Sequence, residues 1–161
     1  MKTALICDIS GQDGAYNLAG QSSVGLSFEQ PVETLESINI ATLNLLEAIR
    51  FLELDTRLYN AGCSECFGES SAAKPADESS CFLPRSPYAV AKASAHWLIA
   101  NYREAYHIFA CTGHLFNHES PFRGERFVTK KIITSVVKIA NNKQQQLHLG
   151  NLDVIRDWGW A

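Results

Sequence analysis

Apolar positions along the chain fall into short continuous runs separated by longer stretches with helical spacing. Thr3–Ile9 (TALICDI) reads as a buried strand stopped by Ser10-Gly11. From Thr34 to Leu54, Leu35, Ile38, Leu45, Ile49 and Leu52 recur near helical spacing with polar residues between them, which predicts a helix. Arg57–Ala61 (RLYNA) predicts a short strand ending at Gly62, and the Ser-, Ala- and Glu-rich segment from Gly68 to Pro84 a loop. Ser86-Pro87 is a helix start, with Ser placed to cap and Pro suited to the first turn; the helix runs to Tyr106. Beyond it the pattern predicts a strand at Ile108–Phe116 and a loop at Asn117–Gly124. A helix from Glu125 to Asn141 follows, with Ile132, Ile133, Val136, Val137 and Ala140 on its buried side, then a short strand at Gln146–Leu149. Strands alternating with helices of this length imply a parallel sheet covered by helices, hence an α/β chain.

Composition narrows this only a little. The 161 residues suffice for one compact core, so a single domain over 1–161 is expected. A formal charge of −3 gives no basic surface for nucleic acid or an anionic membrane. No apolar run approaches the ~20 residues of a membrane-spanning helix. The opening MKTALICDIS suits a strand better than a signal-peptide core, so the expected location is cytoplasmic. Five scattered cysteines, Cys7, Cys63, Cys66, Cys81 and Cys111, do not suggest a disulfide framework. Cys63 and Cys66 form a C-x-x-C, but without a second pair or a nearby His the plainer reading is two small, half-buried residues at a strand end, and no metal is expected.

Chemistry is suggested by Tyr88 and Lys92, which stand four apart on one helix face. A neighbouring ammonium favours a phenolate and would make Tyr88 a base for a hydroxyl proton. Alone, such a pair is common surface decoration. Here it follows a Ser-Pro helix start and a strand ending in Ser64-Glu65.

The segments SFEQP, LLEAIRFL, SPYAVAK, NYREAY, LFNHESP, RGERFVTKKI and LGNLDVIRDWG closely resemble the GDP-mannose 4,6-dehydratases, a branch of the extended short-chain dehydrogenase/reductases. The resemblance covers nearly the whole chain. It implies a truncated Rossmann-like parallel sheet flanked by helices, NADP as cofactor and GDP-mannose as substrate. It implies Tyr88 as the base for the sugar 4-hydroxyl, Glu65 as the base for the C5 proton, Lys92 as ribose contact and tuner of Tyr88, and Cys63 and Ser64 beside them. Cofactor contacts would be Gly11, Gln12, Asp13, Gly14, Leu18, Ala19, Gln21, Ser22, Lys92, His118 and Arg123. Substrate contacts would be Ser64, Glu65, Asn117 and Lys131. Read without the resemblance, His118 is a loop residue and Arg123 and Lys131 are solvated charges. Self-association through the helices at 34–54 and 86–106 is also implied.

Four departures stand out. The family's Ser-Thr-Ser-Glu-Leu-Tyr-Gly is here Gly62-Cys63-Ser64-Glu65-Cys66-Phe67-Gly68, so Cys63, a poorer hydrogen-bond donor, replaces a catalytic Thr. Asp8 stands where the first glycine of the phosphate-binding fingerprint belongs. The chain also passes at Tyr16-Asn17 from the opening of the family's first helix to the close of its fourth strand, about 60–70 residues shorter at ~30 per β-α-β step. It stops at RDWGWA, short of most of the substrate domain, so an internally deleted and C-terminally truncated member is expected. An inactive remnant or partner subunit is the alternative to an enzyme. The short connection forbids parallel pairing of the first strand with its new neighbour. Either Gly14–Ser22 becomes a short helix, with strand one moving beside Arg57–Ala61, or an antiparallel hairpin forms around Gln12-Asp13-Gly14. The helix is the solution favoured here.

Overall fold

The computed structural model describes residues 5–7, 14–69, 75–150, 152–153 and 156–160. The chain divides into two compact units, Met1–Leu115 and Phe116–Ala161.

In the first unit four strands form one sheet in the order β1 (Leu5–Cys7), β2 (Gly14–Asn17), β3 (Arg57–Cys63), β4 (Ala110–Leu115). β2, β3 and β4 are mutually parallel, with Ala15 opposite Leu58 and Leu58 opposite Ala110. Helices carry each parallel crossover, so the fold is the expected α/β sheet flanked by helices. β1 takes the other course. It pairs antiparallel with β2, Leu5 opposite Asn17 and Cys7 opposite Ala15. The favoured helix over Gly14–Ser22 is therefore not formed; Gly14–Asn17 is a strand, and the hairpin is the solution adopted. Only residues 8–13 join the two strands, too few for a crossover. The outer residues of the expected Thr3–Ile9 strand, with Asp8, Gly11, Gln12 and Asp13, lie outside the described residues.

The expected helix of 34–54 begins earlier and is built in pieces: α1 (Val24–Glu29), α2 (Pro31–Leu35), a π-helical turn (Glu36–Ile40) and α3 (Ala41–Phe51). Ser23 caps α1 by accepting from the Leu26 N–H, and Pro31 opens α2. The π turn displaces the helical register. The buried positions become Ile38, Thr42, Leu46 and Ile49, while Leu35 and Leu52 face solvent. Thr42 bonds back to the Ile38 carbonyl at 2.6 Å. α4 (Pro87–Tyr106) starts where expected: Ser86 Oγ accepts from the Ala89 N–H at 3.1 Å. Leu46, Ile49 and Ile99 of α3 and α4 pack with Ala15, Leu58 and Ala110 of the strands and with Ile108. A surface clamp joins the same helices. Glu47 accepts from Arg50 and from the Tyr102 hydroxyl, and Arg50 lies over the Tyr106 ring.

The second unit holds β5 (Asn117–Glu119), α5 (Val128–Ala140) and β6 (Trp158–Trp160), with β5 parallel to β6. Three expectations fail here. Asn117–Glu119 is a strand, not loop, and its partner is β6; Gln146–Leu149 is not a strand. The apolar stripe of α5 is also uncovered: Ile133, Val136 and Val137 are each more than half exposed, and Ser135 is the buried residue of the described helix. The stripe exists in sequence, but two three-residue strands offer no surface broad enough to cover it.

Leu46→Ala should lower unfolding free energy by about 2–5 kcal/mol in urea titration, as for a deleted core side chain. Leu52→Ala should stay within about 0.5 kcal/mol. Arg50 and Tyr102 hold the Glu47 carboxyl down to about 2, from an ordinary 4.5. A depressed acid stabilises the fold above its unfolded pKa and loses that contribution as pH falls through its folded pKa. Thermal unfolding should therefore lose stability between about pH 4.5 and 2, and Glu47→Gln should flatten that part of the profile.

Candidate active site

The strand ends gather most of the expected chemistry in the first unit. β3 ends at Cys63 and passes straight into a 3-10 turn, Ser64–Phe67, which carries Ser64 and Glu65. α4 starts with Ser86-Pro87 and places Tyr88 and Lys92 one turn apart. Tyr88 packs with Ile38, Ala91 and Ala95, and Cys63 lies against this group. Lys92, 8% exposed, donates from Nζ to the Ala61 carbonyl at 2.7 Å. Burial lowers its pKa, against the opposing fields of Cys63 and Cys66.

The expectation that Lys92 makes Tyr88 more acidic is reversed in this structure. Burial pushes the Tyr88 phenol well above its ordinary range, and the neighbouring Cys63 reinforces this. Cys66 and Glu65 add to it in smaller measure. At 7% exposure the loss of hydration decides the sign. Cys66 is fully enclosed, its thiol pushed up to about 11 by burial, with Sγ 3.9 Å from the Ala89 carbonyl. It is core rather than half-buried.

Leu18, Ala19, Gln21 and Ser22 follow the end of β2. Gln21 is turned into the protein: its Nε2 donates to Thr34 Oγ1 at 3.1 Å, its side-chain oxygen accepts from the Ser23 N–H, and its own N–H reaches Ser37 Oγ. Gly20 lets this loop lie against the π turn, since at φ +114° a Cβ would meet Ile38 Cγ1 at 2.7 Å. Leu18 and Ser22 remain exposed, with Ala19 between. Sequence reasoning passed over Asn17, which bridges β2 to Asn60 (2.9 Å) and to Thr42 on α3 (3.1 Å). It also passed over His96 and His114, whose rings meet with Nδ1 and Nε2 3.2 Å apart. No residue spacing would have joined them, because register alone brings β4 to α4.

The remaining expected residues belong to the second unit. Asn117 Nδ2 donates to the Asp157 carbonyl, and Lys131 Nζ to that of His148. His118 is exposed, its Nδ1 3.0 Å from the Phe116 carbonyl. Arg123 stacks on the Phe127 ring at 3.5 Å and pairs ionically with Glu119, its Nε 3.5 Å from the carboxylate but off-line for a hydrogen bond. A mostly apolar groove of about 690 Å³ lies along α5 between Val128, Ile132, Leu149 and Trp158, with Asn117 and Arg156 in its wall. Among the described residues no cluster of three metal-ligating side chains occurs, and no helix is long and apolar enough to cross a membrane.

The residues present fit one end of a nicotinamide cofactor. Tyr88 and Lys92 face the carboxyl ends of parallel strands, where such folds hold ligands. The pyrophosphate end is not matched. Gly14 begins a strand rather than a helix, so among the described residues no helix start follows β1 to face a phosphate.

A parallel sheet with a Tyr–Lys pair beside the end of its central strand is the arrangement of the short-chain dehydrogenase/reductases. The comparisons agree. The chain matches the solved structure of RMD from Pseudomonas aeruginosa complexed with NADPH at a TM-score of 0.84, with 27% identity, over 95% of this chain and 54% of that one. It matches a UDP-N-acetylglucosamine 4-epimerase from Methanobrevibacter ruminantium at 0.79 and 26%, over 92% and 47%. The family model for GDP-mannose 4,6 dehydratase covers residues 5–161, and the chain belongs to that family. It is 50% identical over 151 residues to a GDP-mannose 4,6-dehydratase of Vibrio cholerae (92% of this chain, 40% of the relative). It is 50% identical over 158 residues to GDP-mannose 4,6 dehydratase 2 of Arabidopsis thaliana (96% and 42%). The chain thus spans about two fifths of these relatives.

Carbon-13 labelling of the tyrosine Cζ atoms checks the Tyr88 environment. Its resonance should stay at the neutral position through pH 11, and Cys63→Ala should move its titration downward. A Tyr88 midpoint near 10 in the unaltered chain would contradict its loss of hydration.

Proposed function

We propose that this chain carries the proton-transfer half of a GDP-mannose 4,6-dehydratase. The observation that carries the reading is the meeting of Tyr88, Cys63 and the Ser64-Glu65 turn at the end of β3, with Lys92 held beneath. The net reaction takes GDP-mannose to GDP-4-keto-6-deoxy-mannose and water: C4 is oxidised, C6 is reduced, and the C6 hydroxyl leaves with the C5 proton. NADP, which Lys92 would hold at its ribose, would supply the hydride acceptor and donor. Tyr88, its own proton first lost to water, takes the proton of the sugar 4-hydroxyl and gives it to C5 as the hydride returns to C6. Lys92, with N–H groups beyond the one on Ala61, steadies the phenolate. Glu65 takes the C5 proton and returns it toward the departing C6 hydroxyl. Ser64 holds the sugar beside them.

Within the second unit, the groove along α5 has apolar walls suited to a base, with Arg156 suited to a phosphate and Asn117 as a polar group in its wall. Self-association follows from apolar groups left exposed on α3 and α4, among them Phe51, Val90 and Trp97.

Product formation from GDP-mannose with NADP⁺ tests the reading, followed by the appearance of the 4-keto sugar. Tyr88→Phe and Glu65→Gln should each lower kcat about 10²–10⁴-fold, as for removal of a positioned acid or base. A parallel thermal scan should rise with millimolar NADP⁺ by the linkage RT ln(1 + [L]/Kd). Absence of product together with a transition indifferent to NADP⁺ would overturn it.

A further inference from the structure

His96 on α4 and His114 on β4 lie among stacked rings. Phe82 is within 5.2 Å of both, Phe67 is 5.2 Å from His114, and Trp97 is 5.1 Å from His96. Their protons are placed by elimination. His114 Nδ1 lies 3.4 Å from the Cys63 carbonyl, which can only accept, so Nδ1 carries hydrogen. Neutral His114 then offers Nε2 as an acceptor. His96 Nδ1, 3.2 Å away, must be the donor. The chain runs His96 to His114 to the backbone of Cys63. Gly62 makes room for it: a Cβ there would meet His114 Nδ1 at 2.8 Å.

Proton uptake is ordered by this geometry. A first proton on His96 Nε2 leaves the chain of hydrogen bonds intact. A second, on His114 Nε2, sets two N–H groups and two positive charges against each other. Ionisable groups on the surrounding elements include Tyr88, Lys92, Tyr102, Arg103, Glu104 and Tyr106 on α4, Arg57, Tyr59 and Cys63 on β3, Glu65 and Cys66 on the 3-10 turn, Cys81 and Arg85 flanking Phe82, and Cys111 on β4. Of these Arg103 bears on His96. Burial lowers both imidazoles, and on His114 the Cys63 carbonyl opposes it.

We propose that His96 and His114 are a proton-sensitive positioning pair for the strand end bearing Cys63, Ser64 and Glu65, holding it with zero or one proton and releasing it with two. The proposal rests on the reading of that strand end as the proton-transfer site. His114 acts through the carbonyl of Cys63, a residue packed against the group that includes Tyr88.

Long-range proton–nitrogen spectra of the imidazoles in the full chain, recorded with the Ser64 and Glu65 amides from pH 8 to 4, test it without any need for activity. Both rings should show hydrogen on Nδ1 at pH 8. His96 should titrate first, and the two amides should shift with the second step only. His96→Gln keeps a donor for His114 but removes the like charge, so the His114 midpoint should rise by at least half a pH unit. In the dehydratase assay the acid limb of kcat should rise with it, KM staying within about twofold. Hydrogen on Nε2 of His114 at pH 8, independent midpoints near 6.5, or amides that ignore the second step would each overturn the pair. Spectra that behave as expected in a chain yielding no product would leave the positioning pair standing and remove the dehydratase reading instead.

Discussion

The ammonium of Lys92 on the carbonyl of Ala61 is the contact on which the rest of the site depends. A buried cation must find acceptors or lose its charge. The nearest acceptor is a strand carbonyl two residues before β3 ends. Satisfying it holds α4 against the strand at a fixed height. Tyr88, one turn earlier on the same helix, is then carried to Cys63, the last residue of β3. Burial of Ala91 and Ala95 lets the helix lie close enough for this; larger side chains there would hold it off.

That closeness gives Tyr88 two opposed influences. Lys92 would favour a phenolate, yet the apolar group around Ile38 withdraws water from the hydroxyl, and Cys63 packs against it. The resting site is therefore held as an acid rather than a base.

Much of this was readable in the residues. The Ser86-Pro87 start, the Tyr88–Lys92 face and the β3 strand end appear where the sequence places them, because each rests on local chemistry. The helix before β3 was less readable: a π turn at Glu36–Ile40 shifts the register, so Leu46 is buried while Leu52 is not. α5 was misread for a different reason. Its apolar stripe is real, but burial depends on a surface elsewhere that periodicity cannot report. His96 and His114 were invisible as a pair, since only the pairing of β4 with β3 brings the second ring to the first. The electrostatics of Tyr88 were missed because spacing shows a charge four residues away and does not show the absence of water.

The antiparallel β1–β2 pair also bears on how the chain folds. Its two strands are joined by six residues, 8–13, whereas β2 meets β3 only after about forty residues of helix and loop. Hairpins close in about 1–10 μs, and pairings across long separations are slower because loop entropy is lost before contacts form. The hairpin can therefore assemble ahead of the sheet and present the free edge of β2 to the incoming β3. A strand that began as a replacement neighbour becomes the template on which the parallel core is laid.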